Sequence, residues 1–364
     1  MCVVLVDRLQ TRDGHVVVEI ALNVPKSLNA LNREMIEKML QVLDECRQDP
    51  TVVALVLHST IEKAFCAGGD VVGLRSACLE GDVRDEATDF FQQEYKLDYA
   101  IHSFNKPIIG WGSGIVMGGG MGLLCGCSHR VVTETTLMAM PEITIGLYPD
   151  VGGSWFLNRA PGRTGLFLAL TGARLNAADA LFVGFADRLL HSTQREQLRE
   201  QILHADWSGE AAAEVHRILK SLEEKAGITL ESSVENHLDV VQSLTDHHTV
   251  EEVVESILAH DCGELVWLSR AQKSLLHGSP LAAQLIFRQL KVSKHLSLKE
   301  VFQCELILSV QCCLQREFFE GVRALLVDKD GRPSWRYGAV REVEQAVVDS
   351  CFEMPWSQHP LSDL

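Results

Sequence analysis

With 364 residues, 46% of them apolar and no low-complexity run, the chain can hold two domains and a sizeable core. Its formal net charge of −16 excludes a general nucleic-acid or anionic-membrane surface, while a local group of Lys and Arg can still hold the phosphates of a ligand. Apolar stretches are broken by glycine, charge or turns within about ten residues, too short for a membrane span, and the 11 cysteines, an odd number scattered from Cys2 to Cys351, suit a reduced setting. The N-terminus has neither a basic n-region nor a processing site, so a cytoplasmic location is expected for a bacterial source and an organellar matrix for a processed eukaryotic one.

Val16 to Leu22 reads as a strand closed by the Asn23-Val-Pro-Lys-Ser turn. From Asn32 to Cys46 the residues Met35, Ile36, Met39, Leu40 and Leu43 recur at helical spacing, with Asn32 as a cap. Val52 to Leu57 is an unbroken apolar strand, buried on both faces. Lys63-Ala-Phe-Cys-Ala-Gly-Gly-Asp70 is a strand end running into a glycine turn and then a helix. Thr88 to Phe104 reads as a helix crossing to the strand Lys106 to Trp111, which feeds the run Met117-Gly-Gly-Gly-Met121. His129 to Thr133 is a short strand, and helices are expected after Gly152, over Arg163 to Leu170 and over Asn176 to Phe182.

Beyond Ser192 no stretch resembles a strand. Segments 194–204, 209–225, 231–244, 249–260, 262–276, 280–292, 297–315 and 316–322 all allow helices. The expected architecture is therefore an α/β core over residues 1–191 and a mostly helical lid or accessory region over 192–364. The apolar run Leu325-Leu-Val is expected to bury itself by docking.

Chemistry concentrates between Met117 and Asp150. Gly118, Gly119 and Gly120 bare the backbone at or just inside a helix N-terminus, where unpaired amides face an anion or a developing oxyanion. No Lys-Ser or Lys-Thr follows Gly120, so this is not a phosphate loop, and the spacing is not a dinucleotide fingerprint. Together with Gly68 and Gly69 it forms a second signal: two glycine turns after two core strands can each offer one N–H to the same oxygen, an oxyanion hole. Glu142 and Asp150 stand in an apolar passage punctuated by glycine and proline, whereas Glu134 sits among threonines in an ordinary surface turn.

The order KAFCAGGD, GIVMGGGMGL, MPEITIGLYPDVGGSWFL and EGVRALLVDKD, spread over nearly the whole chain, resembles the 3-hydroxyisobutyryl-CoA hydrolase branch of the enoyl-CoA hydratase/isomerase (crotonase) superfamily. That resemblance implies a crotonase-like spiral of repeated strand-strand-helix units, a bent acyl-CoA ligand, and an oxyanion hole made by the N–H groups of Gly69 and Gly119. It implies Glu142 and Asp150 beside the acyl group, the Lys26-Ser-Leu-Asn29 turn near the adenine end, and ligand contacts at Lys26, Asn29, Ala67, Gly68, Asp70, Tyr95 and Gly118. The partner is a small acyl-CoA, with no nucleic acid and no membrane, and a homo-oligomer is left open. No cofactor or metal is required, because coenzyme A is part of the substrate.

Hydratases of the superfamily carry a glutamate two residues after the last glycine of the run, where this chain has Gly122, and usually glycine where it has Asp150. One acid is lost and another gained. The bare stretch Gly112-Ser-Gly114 departs from the pattern and is expected to alter substrate fit. Thioester hydrolysis needs a base or nucleophile at the carbonyl carbon and stabilised charge on its oxygen, for which Glu142 and two amides suffice. Asp150 can accept a hydrogen bond from a hydroxyl of the acyl chain.

Other residues point elsewhere. Cys125-Gly-Cys127 and Cys312-Cys313 lack the spacing of a zinc site and read as buried free cysteines. His129, His191 and His247-His248 lack metal spacing, and Ser113 and Ser154 lack a nucleophile elbow. Arg130, Arg159 and Arg163 can reach phosphates or pair with acids. Three readings follow: a thioester hydrolase, a hydratase or isomerase using Glu142 and Asp150 alone, and a non-catalytic CoA-binding or assembly protein.

Overall fold

The structure, a computed structural model, describes residues 2–364. The chain forms two compact units, each drawn from three stretches: residues up to Gly69 with Leu97–Met138 and Leu175–Ser232, and Asp70–Lys96 with Ala139–Arg174 and Ser233–Leu364.

In the first unit β1 (Val4–Gln10), β2 (Val16–Leu22), β3 (Val52–Ser59), β5 (Ile108–Gly112), β7 (His129–Thr133) and β9 (Arg188–Leu190) form one sheet in that spatial order. β1 pairs antiparallel with β2 and the remaining pairs are parallel. Parallel strands are covered on both faces, which accounts for the apolar run of β3 and for the burial of every residue of β2, Glu19 included. A second sheet holds the short strands β4 (Ala64–Cys66), β6 (Ile115–Met117) and β8 (Leu137–Ala139). Each turn of the chain thus gives one strand to each sheet: β3 with β4, β5 with β6, β7 with β8. A helix follows the first two turns, at Val71–Glu80 and Gly119–Gly126, so the expected strand-strand-helix repeat is present.

Helix Arg33–Gln48 starts on Asn32, whose side chain accepts the Met35 amide at 2.9 Å, and it buries Met35, Ile36, Met39, Val42, Leu43 and Cys46. β1, β6, β8 and β9 escaped the sequence. β1 alternates little, with most of its residues exposed, and three-residue strands are too short to show a period.

The bare stretch Gly112-Ser-Gly114 has a packing cause. A Cβ on Gly112 would overlap Leu124, and one on Gly114, at φ +70°, would meet the Lys63 carbonyl carbon. These glycines let β5 and the turn before β6 approach Leu124 and the Lys63 backbone.

β9 is the last described strand, and every later element is helical. The change of character expected after Ser192 is there, but compactness follows another partition. Helices Arg195–His204 and Ala211–Ala226 belong to the first unit, where Leu198, Ile202, Trp207, Val215, Ile218 and Leu222 join Val17, Val56, Ile109, Trp111 and Val131 in one core cluster.

In the second unit the helices from Ser233 onward pack with the segment Ala139–Arg174. Helix Arg316–Val322 lies against the turn Glu142–Ile145. A Cβ on Gly146 would come 2.6 Å from the Glu317 carbonyl carbon, and one on Gly321 would overlap the Ile145 backbone. That close approach, together with buried Phe318 and Val322, docks this end of the chain. The run Leu325-Leu-Val does not: Leu325 and Val327 are 44% and 45% exposed, because a five-residue π turn over Arg323–Val327 rotates them outward.

Candidate active site

The amide pair lies in the first unit. β4 runs into the turn Ala67-Gly68-Gly69, and β6 ends at Met117, just before Gly118, which caps helix Gly119–Gly126 with φ +50°. Gly68 takes φ +115°, and a Cβ there would lie 3.8 Å from the Gly119 nitrogen, so the two glycine turns abut. A Cβ on Gly120 would overlap the Cys66 carbonyl oxygen and come within 2.9 Å of the Cys66 side chain. Glycine is required there because backbone meets backbone. Among the described residues, no acceptor takes the Gly69 or the Gly119 amide, and a first-turn N–H has none within its own helix.

The expected ligand turn at Lys26 is tied to the same place. Ala67 N donates to Leu28 O at 3.1 Å and Leu31 N to Gly68 O at 2.8 Å. Leu28 and Asn29 both adopt left-handed backbone. Asn29 is fully buried: its Oδ1 accepts the Val24 amide at 2.7 Å, and its Nδ2 donates to Ser59 Oγ at 2.7 Å and Phe65 O at 3.0 Å. Its side chain therefore braces a strained turn, where the sequence placed it against coenzyme A. Lys26 is exposed on this turn.

The acids lie in the second unit. Glu142 opens the 3-10 turn Glu142–Ile145, is 6% exposed, and its Oε2 has no partner among the described residues. Burial pushes its carboxyl well up, and Asp150 pushes it further. Asp150 is 4% exposed. Burial raises its carboxyl to about 6, and a 2.6 Å hydrogen bond donated by Tyr95 holds it from going higher. Val151, immediately after it, is buried at φ +52°, a conformation a β-branched residue rarely takes, and Gly152 follows at φ +81°. Strain is therefore stored beside the acid.

Tyr95 was expected to contact substrate. Its hydroxyl is instead occupied, bonded to Asp150 Oδ2 and to Ser309 Oγ, both at 2.6 Å. Asp70, which the resemblance set against the ligand, caps helix Val71–Glu80 by accepting the Gly73 amide at 3.0 Å.

Three further polar residues went unread. Glu94, 2% exposed with Oε1 unpartnered, is pushed well up by burial and then by Asp150. Glu305 accepts the amides of Gly152 at 2.7 Å and Ser154 at 2.9 Å, so helix Leu298–Leu314 fixes the loop that carries Asp150. Burial pushes the Glu305 carboxyl to about 8 against those two amides. Ser309 is the third. A signal existed: Ala87, Phe91, Glu94, Asp98 and Ile101 form one buried helical stripe, as do Val301, Glu305, Leu308 and Cys312. An acid on such a stripe demands a reason.

The remaining candidates have protein partners. Arg130 pairs with Asp187 and Arg163 with Asp246, and Arg159 lies 3.2 Å over the Trp155 ring. Glu134 is no idle surface acid, since it accepts the Ser192 amide at 2.8 Å and its hydroxyl at 2.5 Å. The cysteines are free and mostly buried. Among the described residues no group of His, Cys, Asp and Glu is placed to hold a metal ion, and no helix is long and apolar enough to cross a membrane.

Residues 17–352 match the family model described as enoyl-CoA hydratase/isomerase. The chain is 38% identical over 335 residues to a mitochondrial 3-hydroxyisobutyryl-CoA hydrolase of Danio rerio, covering 92% of this chain and 86% of that one. It is 36% identical over 336 residues to the Homo sapiens protein of the same name, covering 92% and 85%. Among solved structures, a carnitinyl-CoA dehydratase from Mycobacterium thermoresistibile superposes with TM-score 0.86 at 32% identity, covering 98% of both chains. An enoyl-CoA hydratase from Rhodobacter sphaeroides does so with TM-score 0.82 at 32% identity, covering 96% of this chain and 97% of that one. The chain belongs to the enoyl-CoA hydratase/isomerase family, in its 3-hydroxyisobutyryl-CoA hydrolase branch.

Proposed function

We propose that this protein hydrolyses 3-hydroxyisobutyryl-CoA to 3-hydroxyisobutyrate and coenzyme A, a step of valine breakdown. The observation that carries this is the buried pair Glu142 and Asp150 on a chain that has glycine at 122. A hydratase needs a second acid on the helix after the glycine run, and here that helix is apolar and buried throughout. The named activity of the curated relatives agrees, while the two solved structures carry hydratase and dehydratase names.

In this reading the Gly69 and Gly119 amides receive the thioester oxygen as charge develops on it. Glu142 acts at the carbonyl carbon as base toward water or as nucleophile. Its raised proton affinity makes the ionised form the stronger base. The C–S bond breaks, a C–O bond forms, and the departing thiolate takes a proton. Asp150 accepts the hydrogen bond of the substrate hydroxyl. Lys26, exposed on its turn, is available to the phosphates of coenzyme A. No metal or separate cofactor takes part. The relatives are named as mitochondrial, which favours an organellar matrix for this chain too.

Thiol trapping with 3-hydroxyisobutyryl-CoA, run beside the enoyl absorbance of crotonyl-CoA, tests the reading. Thiol release without added metal is expected. Fast hydration of crotonyl-CoA with no thiol release would establish the hydratase alternative.

A further inference from the structure

A line of hydroxyl groups runs from Asp150 within the second unit. Tyr95 Oη lies 2.6 Å from Asp150 Oδ2 and 2.6 Å from Ser309 Oγ. Ser309 Oγ lies 2.9 Å from Tyr148 Oη, which lies 2.8 Å from the Glu305 carbonyl oxygen. All three hydroxyl residues are buried, so the line ends inside the protein.

Its protons can be counted. Four contacts join Asp150 to the Glu305 carbonyl, and each needs one hydrogen. Three hydroxyls supply three. With Asp150 ionised, one contact stays empty. With Asp150 protonated, all four are filled, every hydrogen pointing away from the acid toward Glu305. The first hydroxyl alone does the opposite, because a donor to a carboxylate makes a charge-assisted bond that favours the ionised form.

We infer that Tyr95, Ser309 and Tyr148 are positioning residues acting through Asp150, with Tyr95 favouring its carboxylate and the Ser309–Tyr148 end favouring its neutral acid. This rests on Asp150 as the acid that meets the substrate. Other groups face it: Glu94 on the helix of Tyr95, Glu142 on its turn, and Glu305, Cys312 and Cys313 on helix Leu298–Leu314. They are the same in every variant below, so they set the midpoint and leave the sign of each change to the line.

The two ends separate by substitution. Tyr95→Phe removes the donor, so Asp150 holds its proton more tightly. Ser309→Ala leaves Tyr95 donating to Asp150 and Tyr148 donating to Glu305, two protons for two contacts. Protonating Asp150 then fills no empty contact and trades the charge-assisted Tyr95 bond for a neutral one, so Asp150 holds its proton less tightly than in the parent. Ser309→Thr keeps a hydroxyl and restores the parental behaviour. Tyr148→Phe has the sign of Ser309→Ala and replaces it if that variant does not fold.

The test titrates Asp150 itself, in full-length protein without substrate, by carbon NMR of carboxyl-labelled aspartate. The resonance is assigned by its loss in Asp150→Asn. The parent midpoint is expected at about 6. Tyr95→Phe should raise it and Ser309→Ala lower it, each by roughly threefold or more in proton affinity, half a pH unit or so. Shifts of the same sign, or none, would overturn the inference. The acidic limb of thiol release should move with the same two signs, and a limb that stays fixed while the midpoints move would remove these residues from the reaction. Absence of thiol release altogether would sink the proposed function and leave the titration result standing.

Discussion

Asp150 raises the proton affinity of Glu142 beyond what burial alone produces, although the chain separates the two only by the turn Glu142–Ile145 and the segment Gly146–Pro149. Two like charges in one dry pocket each disfavour the other's ionisation. The acid proposed to react and the acid proposed to orient are therefore coupled.

Glu142→Gln keeps shape and hydrogen-bonding reach while removing the base or nucleophile. Single-turnover thiol release should fall on the order of 10³-fold or more, with binding of the CoA ester by calorimetry little changed, since the loss falls on the transition state. A rate near the parent's would remove Glu142 from the mechanism.

Asp150→Asn should stabilise the protein in a pH-dependent way. The folded carboxyl sits at about 6 against an ordinary 3.8, so its contribution is fully present below pH 3.8 and is lost as pH rises through 6. At pH 8 the parent should be less stable than the amide variant by about 3 kcal/mol, with no such gap near pH 3.5. Chemical denaturation of both proteins across that range measures it, and a gap that widens toward acid contradicts the assignment. Turnover of substrates bearing the hydroxyl should suffer more than that of the same acyl chains without it.

Gly120→Ala places a Cβ into the Cys66 backbone. Either β4 or helix Gly119–Gly126 must shift, and the adjoining Gly69 and Gly119 amides shift with it. Displacing one such donor costs roughly 3 kcal/mol of barrier, about 10²-fold in kcat. Steady-state kinetics beside a melting curve separates this from unfolding. Unaltered kcat in a folded variant would argue against a role for these amides.

Truncation after Leu190 should give an insoluble, inactive fragment. Trp207, Val215, Ile218 and Leu222 would be stripped from the cluster that includes Val17, Val56 and Trp111, exposing a contiguous apolar face. Glu305 and Ser309 would go too. A soluble fragment hydrolysing substrate at the full rate would show the later helices to be an appendage.

Legibility followed the range of each interaction. Met35, Ile36 and Met39 announce a helix because their period is local, and the unbroken apolar run Val52 to Leu57 announces β3 as a buried strand. Glycines show where backbone must come close, but Gly112 and Gly114 do not reveal that they meet the Leu124 side chain and the Lys63 backbone. Asn29 reads alike whether it touches coenzyme A or braces the turn at Leu28, because only the positions of Ser59 and Phe65 decide which.

The sequence by itself determined the family, the α/β repeat and the helical second half, and it singled out Glu142, Asp150, Gly69 and Gly119 as candidates. Each is written in a motif or a short period. Tertiary structure alone decided what surrounds the acids: that Tyr95 bonds Asp150, that Glu305 grips the loop through Gly152 and Ser154, and that Glu94 is buried with an unpartnered oxygen. Proton affinity depends on burial and on neighbours brought from distant parts of the chain. Those neighbours are fixed by packing, which no local pattern records.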